Sequence, residues 1–326
     1  MTRRINRVMI PALLALLLLP LGSAWAQDSD RGGDRYRDRI DQDTSLDEAQ
    51  RDRMRTRLQD CEEAGLTDDQ LDALYPEGGS QYSAEARLRM QERVLELARE
   101  GQPVDLLCEK MGEGEMKRAR EQDVERAVQR MGEYVGEAHR YMEQAKGDGV
   151  VGLGDPANER HLQRGLAMNM WRGLEEGELD QLRTRARERL RDGSCDLTDL
   201  SAAAETATEL KEMGVGSERA MNLCGEALRQ GYSAEDMRGL GHMVMAAHRN
   251  GEPGDAVCDQ LQDRVRAHEG LGDMQQHMMQ NGWMGPESGG HGYGGGSPVD
   301  DVMGGGHHGG GNQDDGDKGG GMGGHD

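Results

Sequence analysis

The residues best suited to hold a ligand lie near the C-terminus. His291, His307, His308 and His325, with Met303 and Asp314, are spread through a stretch in which 20 of the 46 residues from Asn281 to Asp326 are Gly. Imidazole and carboxylate suit divalent nickel, copper or zinc, and the thioether of Met303 suits monovalent copper. Adjacent imidazoles at His307-His308 on a glycine backbone can reach one ion. The spacing fixes no geometry, so any such site is weak and promiscuous. The same composition also describes a solubilising extension, because it cannot repay the entropy of ordering.

A second set of reactive residues is Cys61, Cys108, Cys195, Cys224 and Cys258. None forms a CxxC, and the spacings fit neither a zinc ribbon nor a thioredoxin-type redox site. In an oxidising compartment an odd number leaves at least one thiol unpaired. Nearness in sequence makes Cys61 with Cys108, and Cys224 with Cys258, the disulfide candidates, with Cys195 left over. Four paired cysteines still allow three connectivities.

Catalytic constellations are missing from the sequence. There is no GxSxG, HExxH or P-loop, and no GxGxxG opens a helix after a strand. His139, His161, His242, His248 and His268 sit singly on helical segments. Acidic pairs such as Glu62-Glu63 and Glu175-Glu176 read as solvated faces in a chain with 61 acids and 39 bases. The expectation is a protein that is not an enzyme. The formal charge of −22 repels phosphate backbones, so nucleic acid is excluded as the main partner.

The elements that would carry these residues are helical. Aromatics are 3% and Phe is absent, and no run of alternating β-branched residues suggests a sheet. Ser45 with Glu48 has capping-box spacing, Thr67 and Ser83 are further N-caps, and Pro76-Glu77-Gly78-Gly79 is a stop. Val124, Val128, Met131, Val135, Ala138, Met142 and Ala145 form a heptad seam of the kind used by antiparallel helix pairs. Further helices are expected at about 157–175, 178–191, 197–213, 217–229, 234–249 and 254–269. Most of the 21 Met fall on apolar faces, either as core filler or as an adaptable surface for unfolded clients.

An internal repeat organises the whole. Residues 82–108 align with 232–258 at a constant offset of 150, with 10 identities in 27 positions that include Tyr82/Tyr232, Gly101/Gly251, Pro103/Pro253 and Cys108/Cys258. Repeated helix pairs cannot bury their own apolar stripes and stack on their neighbours. The fold class is therefore all-α, with two related helical modules forming a bundle or short solenoid and a disordered Gly-rich C-terminal tail. The expected organisation is a signal peptide at 1–26, a disordered charged segment at 27–44, module 1 at 45–146, a linker at 147–158, module 2 at 159–272, and the tail at 273–326.

Residues 1–26 carry the marks of a secretory signal. Arg3, Arg4 and Arg7 precede an apolar run from Ile10 to Leu21, and Ala24-Trp25-Ala26 supplies the small residues of a cleavage site near Ala26. The apolar run is too short to cross a bilayer. Cleavage removes three Arg and no acid, which takes the charge to −25. The destination is the periplasm or the exterior, with no membrane insertion after cleavage.

Two resemblances follow from particular residues. Leu66-Thr67-Asp68-Asp69-Gln70 resembles the LTxxQ motif of small periplasmic helical proteins, which include ATP-independent chaperones and metal-stress sensors. That family carries the motif twice; here the repeat-related segment reads Gly216-Ser217-Glu218-Arg219-Ala220. The stretch from Gly101 to Cys108, then Glu113-Gly114-Glu115-Met116-Lys117, then Asp123 to Val128, resembles exported bacterial helical-repeat proteins of unknown function. This likeness covers roughly 60–145 and 215–270, and it implies a fold and a compartment without an activity. The resulting expectation is an exported binding or scaffold protein with a protein partner. The alternatives are a metal-binding or metal-stress protein acting through the tail, and a chaperone of unfolded clients.

Overall fold

A computed structural model of the chain describes residues 29–191 and 193–283. The signal sequence, its cleavage site and the metal-ligand candidates fall outside these residues. Thirteen helices run in order: α1 (Ser29–Gln42), α2 (Glu48–Glu63), α3 (Asp68–Leu74), α4 (Ala84–Arg99), α5 (Asp105–Lys117), α6 (Glu121–Gly147), α7 (Pro156–Trp171), α8 (Glu176–Arg189), α9 (Leu197–Glu212), α10 (Ser217–Gln230), α11 (Ala234–Arg249), α12 (Gly254–Arg266) and α13 (Leu271–Gln280). No strand occurs among the described residues. One isolated parallel bridge joins Val151 to Asp196.

Local chemistry sets the helix starts. Thr67 and Gln70 form a reciprocal capping box, Ser83 accepts from the Ala86 N–H, and Asp155 caps α7 with Pro156 at its first position. The cap of α2 differs from expectation. Asp47 pairs with Gln50 there, while Ser45 donates its Oγ to Asp43 and receives nothing from the helix. Asp43 in turn accepts from Arg87 at 2.7 Å in a buried ion pair, so the Ser45 hydroxyl is taken up by a tertiary network. All seven residues of the heptad seam are buried along α6.

Two segments expected to lack structure are helical. Within 27–44, α1 forms, and Tyr36 and Ile40, four residues apart, are buried on one stripe. Tyr36 Oη donates to the Asp68 carbonyl at 2.8 Å, and Arg39 donates to the Tyr75 carbonyl at 2.8 Å. Two apolar side chains suffice because α2 and α3 supply the rest of the cavity. Helix α13 likewise occupies 271–280, where the tail was expected from 273, and it buries Met274 and Met278. In the expected linker, Gly147 closes α6, Val150 is buried, and Val151 exchanges backbone hydrogen bonds with Cys195 and Leu197.

Each helix makes its substantial contacts with the next helix or the next but one. Side-chain bonds trace the second relationship along the whole chain. Arg57 pairs with Glu92 across α2 and α4, Gln70 with Asp105 across α3 and α5, and Arg89 with Glu125 across α4 and α6. Arg164 pairs with Glu109 across α5 and α7, and Tyr141 donates to the Leu179 carbonyl across α6 and α8. Arg238–Glu205 and Arg219–Asp259 continue the series. Even-numbered and odd-numbered helices thus form two stacked layers, the arrangement of a short solenoid.

The repeat extends beyond the aligned stretch. Helices α4 and α11 begin and end 150 positions apart, as do the starts of α6 and α13. Val124 and Val128 correspond to Met274 and Met278, and all four are buried. Upstream, α2 and α9, and α3 and α10, begin 149 apart. The cap of α10 is accordingly Gly216, one residue before the aligned Ser217. Helix α7 has no counterpart in the first set. Equivalent elements are offset by seven helices, an odd number, so the repeat places corresponding helices in opposite layers.

Candidate functional site

A groove of about 610 Å³ lies between α2 and α4. Arg53, Arg57 and Asp60 line it from α2, and Glu85, Arg89 and Glu92 from α4, over the half-buried Leu88. Arg53 pairs with Glu85 at 3.4 Å and Asp60 with Arg99 at 3.2 Å, while Arg57 reaches both Glu92 and Asp60. Arg57 Nε is buried without a hydrogen-bond partner. Glu85 is held below the usual carboxylate range by the hydrogen bond from its own backbone N–H, aided by Gln50.

The repeat-related pair α9 and α11 differs at these arginine positions. Arg53, Arg57 and Arg89 correspond to Ala202, Thr206 and Gly239. A Cβ added at Gly241 would lie 3.1 Å from Thr206 Cγ2, so these helices touch where α2 and α4 are held apart. The same framework therefore builds a closed seam from small residues and a charged groove from arginines. Alternating acids and bases on a rigid face can recognise a complementary polypeptide surface. They include no nucleophile with an adjacent base.

The cysteines occupy buried positions, all five as thiols. Burial pushes Cys61 and Cys258 up to about 12 and Cys195 to about 11, where Arg189 opposes the rise. Cys108 and Cys224 are pushed up too, first by burial. Among the further contributions, Cys61 raises Cys108 and Cys258 raises Cys224.

No group of three or more His, Cys, Asp or Glu among the described residues is placed to hold a metal ion. The ligand candidates His291, Met303, His307, His308 and His325 lie outside the described residues. No helix among the described residues is long and apolar enough to cross a membrane. The methionines on apolar faces pack inward. Met90, Met111, Met131, Met142, Met170, Met221, Met237 and Met243 are buried, and Met168, Met213 and Met245 are half-buried. Among the described residues the exposed large apolar ones are Met116 and Val151, at 79% and 54%. They are too few and too scattered to make an apolar patch.

The arginines of the groove carried no recognisable motif. The signal that finds them is the repeat itself, read for differences: three positions that are Arg in one copy and Ala, Thr and Gly in the other. No family model, curated protein or solved structure matches the chain.

Proposed function

We propose that this chain is an exported, non-enzymatic helical-repeat protein that binds or scaffolds a protein partner through a charged face of its stacked helices. The observation that carries the reading is the α2–α4 groove, lined by Arg53, Arg57 and Arg89 with their acidic partners. Stacked helix pairs present long rigid surfaces, and such surfaces serve recognition more often than chemistry. The polar character of the face favours a folded, charge-complementary partner over unfolded apolar clients, because the described methionines that would suit such clients are, Met116 apart, buried or half-buried. The leader-like residues 1–26 support export.

The test is affinity capture from the exported fraction with the full chain and with its R53E/R89E variant. One discrete, stoichiometric partner lost in the variant supports the reading. A heterogeneous set of unfolded chains, captured equally by both, argues for a chaperone instead.

A further inference from the structure

A second groove, of about 710 Å³, lies where the C-terminal ends of α8, α10 and α12 meet. It is basic in a chain whose overall charge is −22. Arg185 comes from α8, Arg191 from just beyond it, Arg229 from α10, and His268 from the turn after α12. Arg185 pairs with Glu188 at 2.9 Å, one turn away, and Arg229 pairs with Glu226. Neither Arg191 nor His268 has an ion-pair partner among the described residues.

Two features mark the groove as built. Gly225 leaves room for Arg185 to lie across α10: a Cβ there would sit 3.1 Å from Arg185 Cγ. Helix α10 has 14 residues where its counterpart α3 has 7. The extra two turns supply Glu226 and Arg229, and Pro76 cuts short the equivalent turns after α3.

Guanidinium forks from different helices match the oxygens of phosphates and carboxylates two at a time. The internal pair Arg185–Glu188 is partly exposed and therefore weak, so a multiply charged anion can replace it, while Arg229 stays on the buried Glu226 and has its Nη1 donors to spare. We propose that this groove is an oxyanion site that takes a ligand bearing two or more phosphate or carboxylate charges. This inference is independent of the partner-binding reading, since it concerns a different face.

The ligand chemistry has two sources, a free oxyanion or the chain's own acidic C-terminal segment, which carries Asp300-Asp301, Asp314-Asp315 and Asp317. The test is calorimetric titration of inorganic pyrophosphate into the full chain at low salt, with R185Q/R191Q/R229Q alongside. A second background, D300N/D301N/D314N/D315N/D317N in the full chain, separates the sources. The expected result is one site per chain, weakened at least tenfold by the triple arginine variant, whose retained fold is checked by circular dichroism. A rise of fivefold or more in the neutralised background identifies the acidic segment as the resident occupant, and unchanged affinity identifies a free oxyanion. No binding in either background, or undiminished binding by the arginine variant, overturns the proposal.

Discussion

Arg118 and His268 stand 150 positions apart, and both hold a left-handed backbone, at φ of 50° and 56°. Among the described residues no other non-glycine has positive φ. Each ends the helix that leads into the last element of its repeat, α5 into α6 and α12 into α13. The match in backbone strain extends the kinship of the two modules past the point where their side chains diverge.

That relationship gives a stability prediction of opposite signs. Arg118→Gly and His268→Gly should each raise the melting temperature, because glycine removes a left-handed penalty of about 1 kcal/mol. Gly101→Ala and Gly251→Ala, at φ of 73° and 92° with open space around them, should each lower stability by a similar amount. Thermal unfolding of the four variants checks this, and a rise in the alanine variants would contradict it.

Two buried glycines should respond unequally. A Cβ at Gly114 would meet Val124 Cγ2 at 2.5 Å and Tyr82 Oη at 2.7 Å, both on buried residues. Gly114→Ala should therefore cost about 1–3 kcal/mol through overpacking. At Gly239 the clash is with Leu271 Cδ2, also at 2.5 Å, but Leu271 is only half-buried at the start of α13 and can swing away. Gly239→Ala should cost less than half as much in denaturant titration.

Two carboxyl groups should give opposite pH signatures. At Asp43 burial disfavours the charge, but hydrogen bonds from Ser45 and Arg87 outweigh it and hold the carboxyl below its usual range. Its contribution is complete above the unfolded carboxylate pKa of about 4 and is lost as pH falls through the lower folded value. Asp43→Asn should cost about 3–5 kcal/mol at pH 7 by stranding Arg87, and should flatten the acid limb of the stability curve. Glu209 is pushed up, first by burial and then by Glu205. Ionising it opposes folding at neutral pH, so Glu209→Gln should stabilise the protein at pH 7. The gain should vanish below about pH 4, where the carboxyl is protonated in both states. Chemical denaturation from pH 3 to 8 reads both effects.

The C-terminal histidines give a separate prediction. With no metal-holding group among the described residues, nickel, copper or zinc bound near neutral pH should be released below about pH 6, as ordinary imidazoles protonate. His307→Ala/His308→Ala in the full chain should remove most of the binding in calorimetric titration. Undiminished binding by that variant would move the site to carboxylates on the helices.

Much of this architecture was legible in the sequence, for physical reasons that differ by element. The seam from Val124 to Ala145 and the caps Thr67, Ser83 and Asp155 are local signals, and the structure uses them as local rules dictate. Helix α1 was not legible. Its apolar stripe is Tyr36 and Ile40 alone, and its stability comes from α2 and α3. Ser45 failed as a cap because Asp43, needed by Arg87 44 residues away, claims its hydroxyl. Helix α13 was hidden because the glycine-rich composition after Gln280 masks the Met274–Met278 stripe. The two grooves lacked any motif. They arise from side chains on helices some 35 to 40 residues apart, and only the stacking brings those side chains together.

The proposed binding of a folded partner rests on a charged face of the stacked helices. The most direct measurement is the dissociation constant of the captured complex as a function of salt and of mild detergent. Exposed charges are largely screened at high ionic strength. Affinity should fall at least tenfold between about 50 mM and 500 mM salt, with little response to detergent. A complex indifferent to salt but dispersed by detergent would contradict it and point to apolar clients.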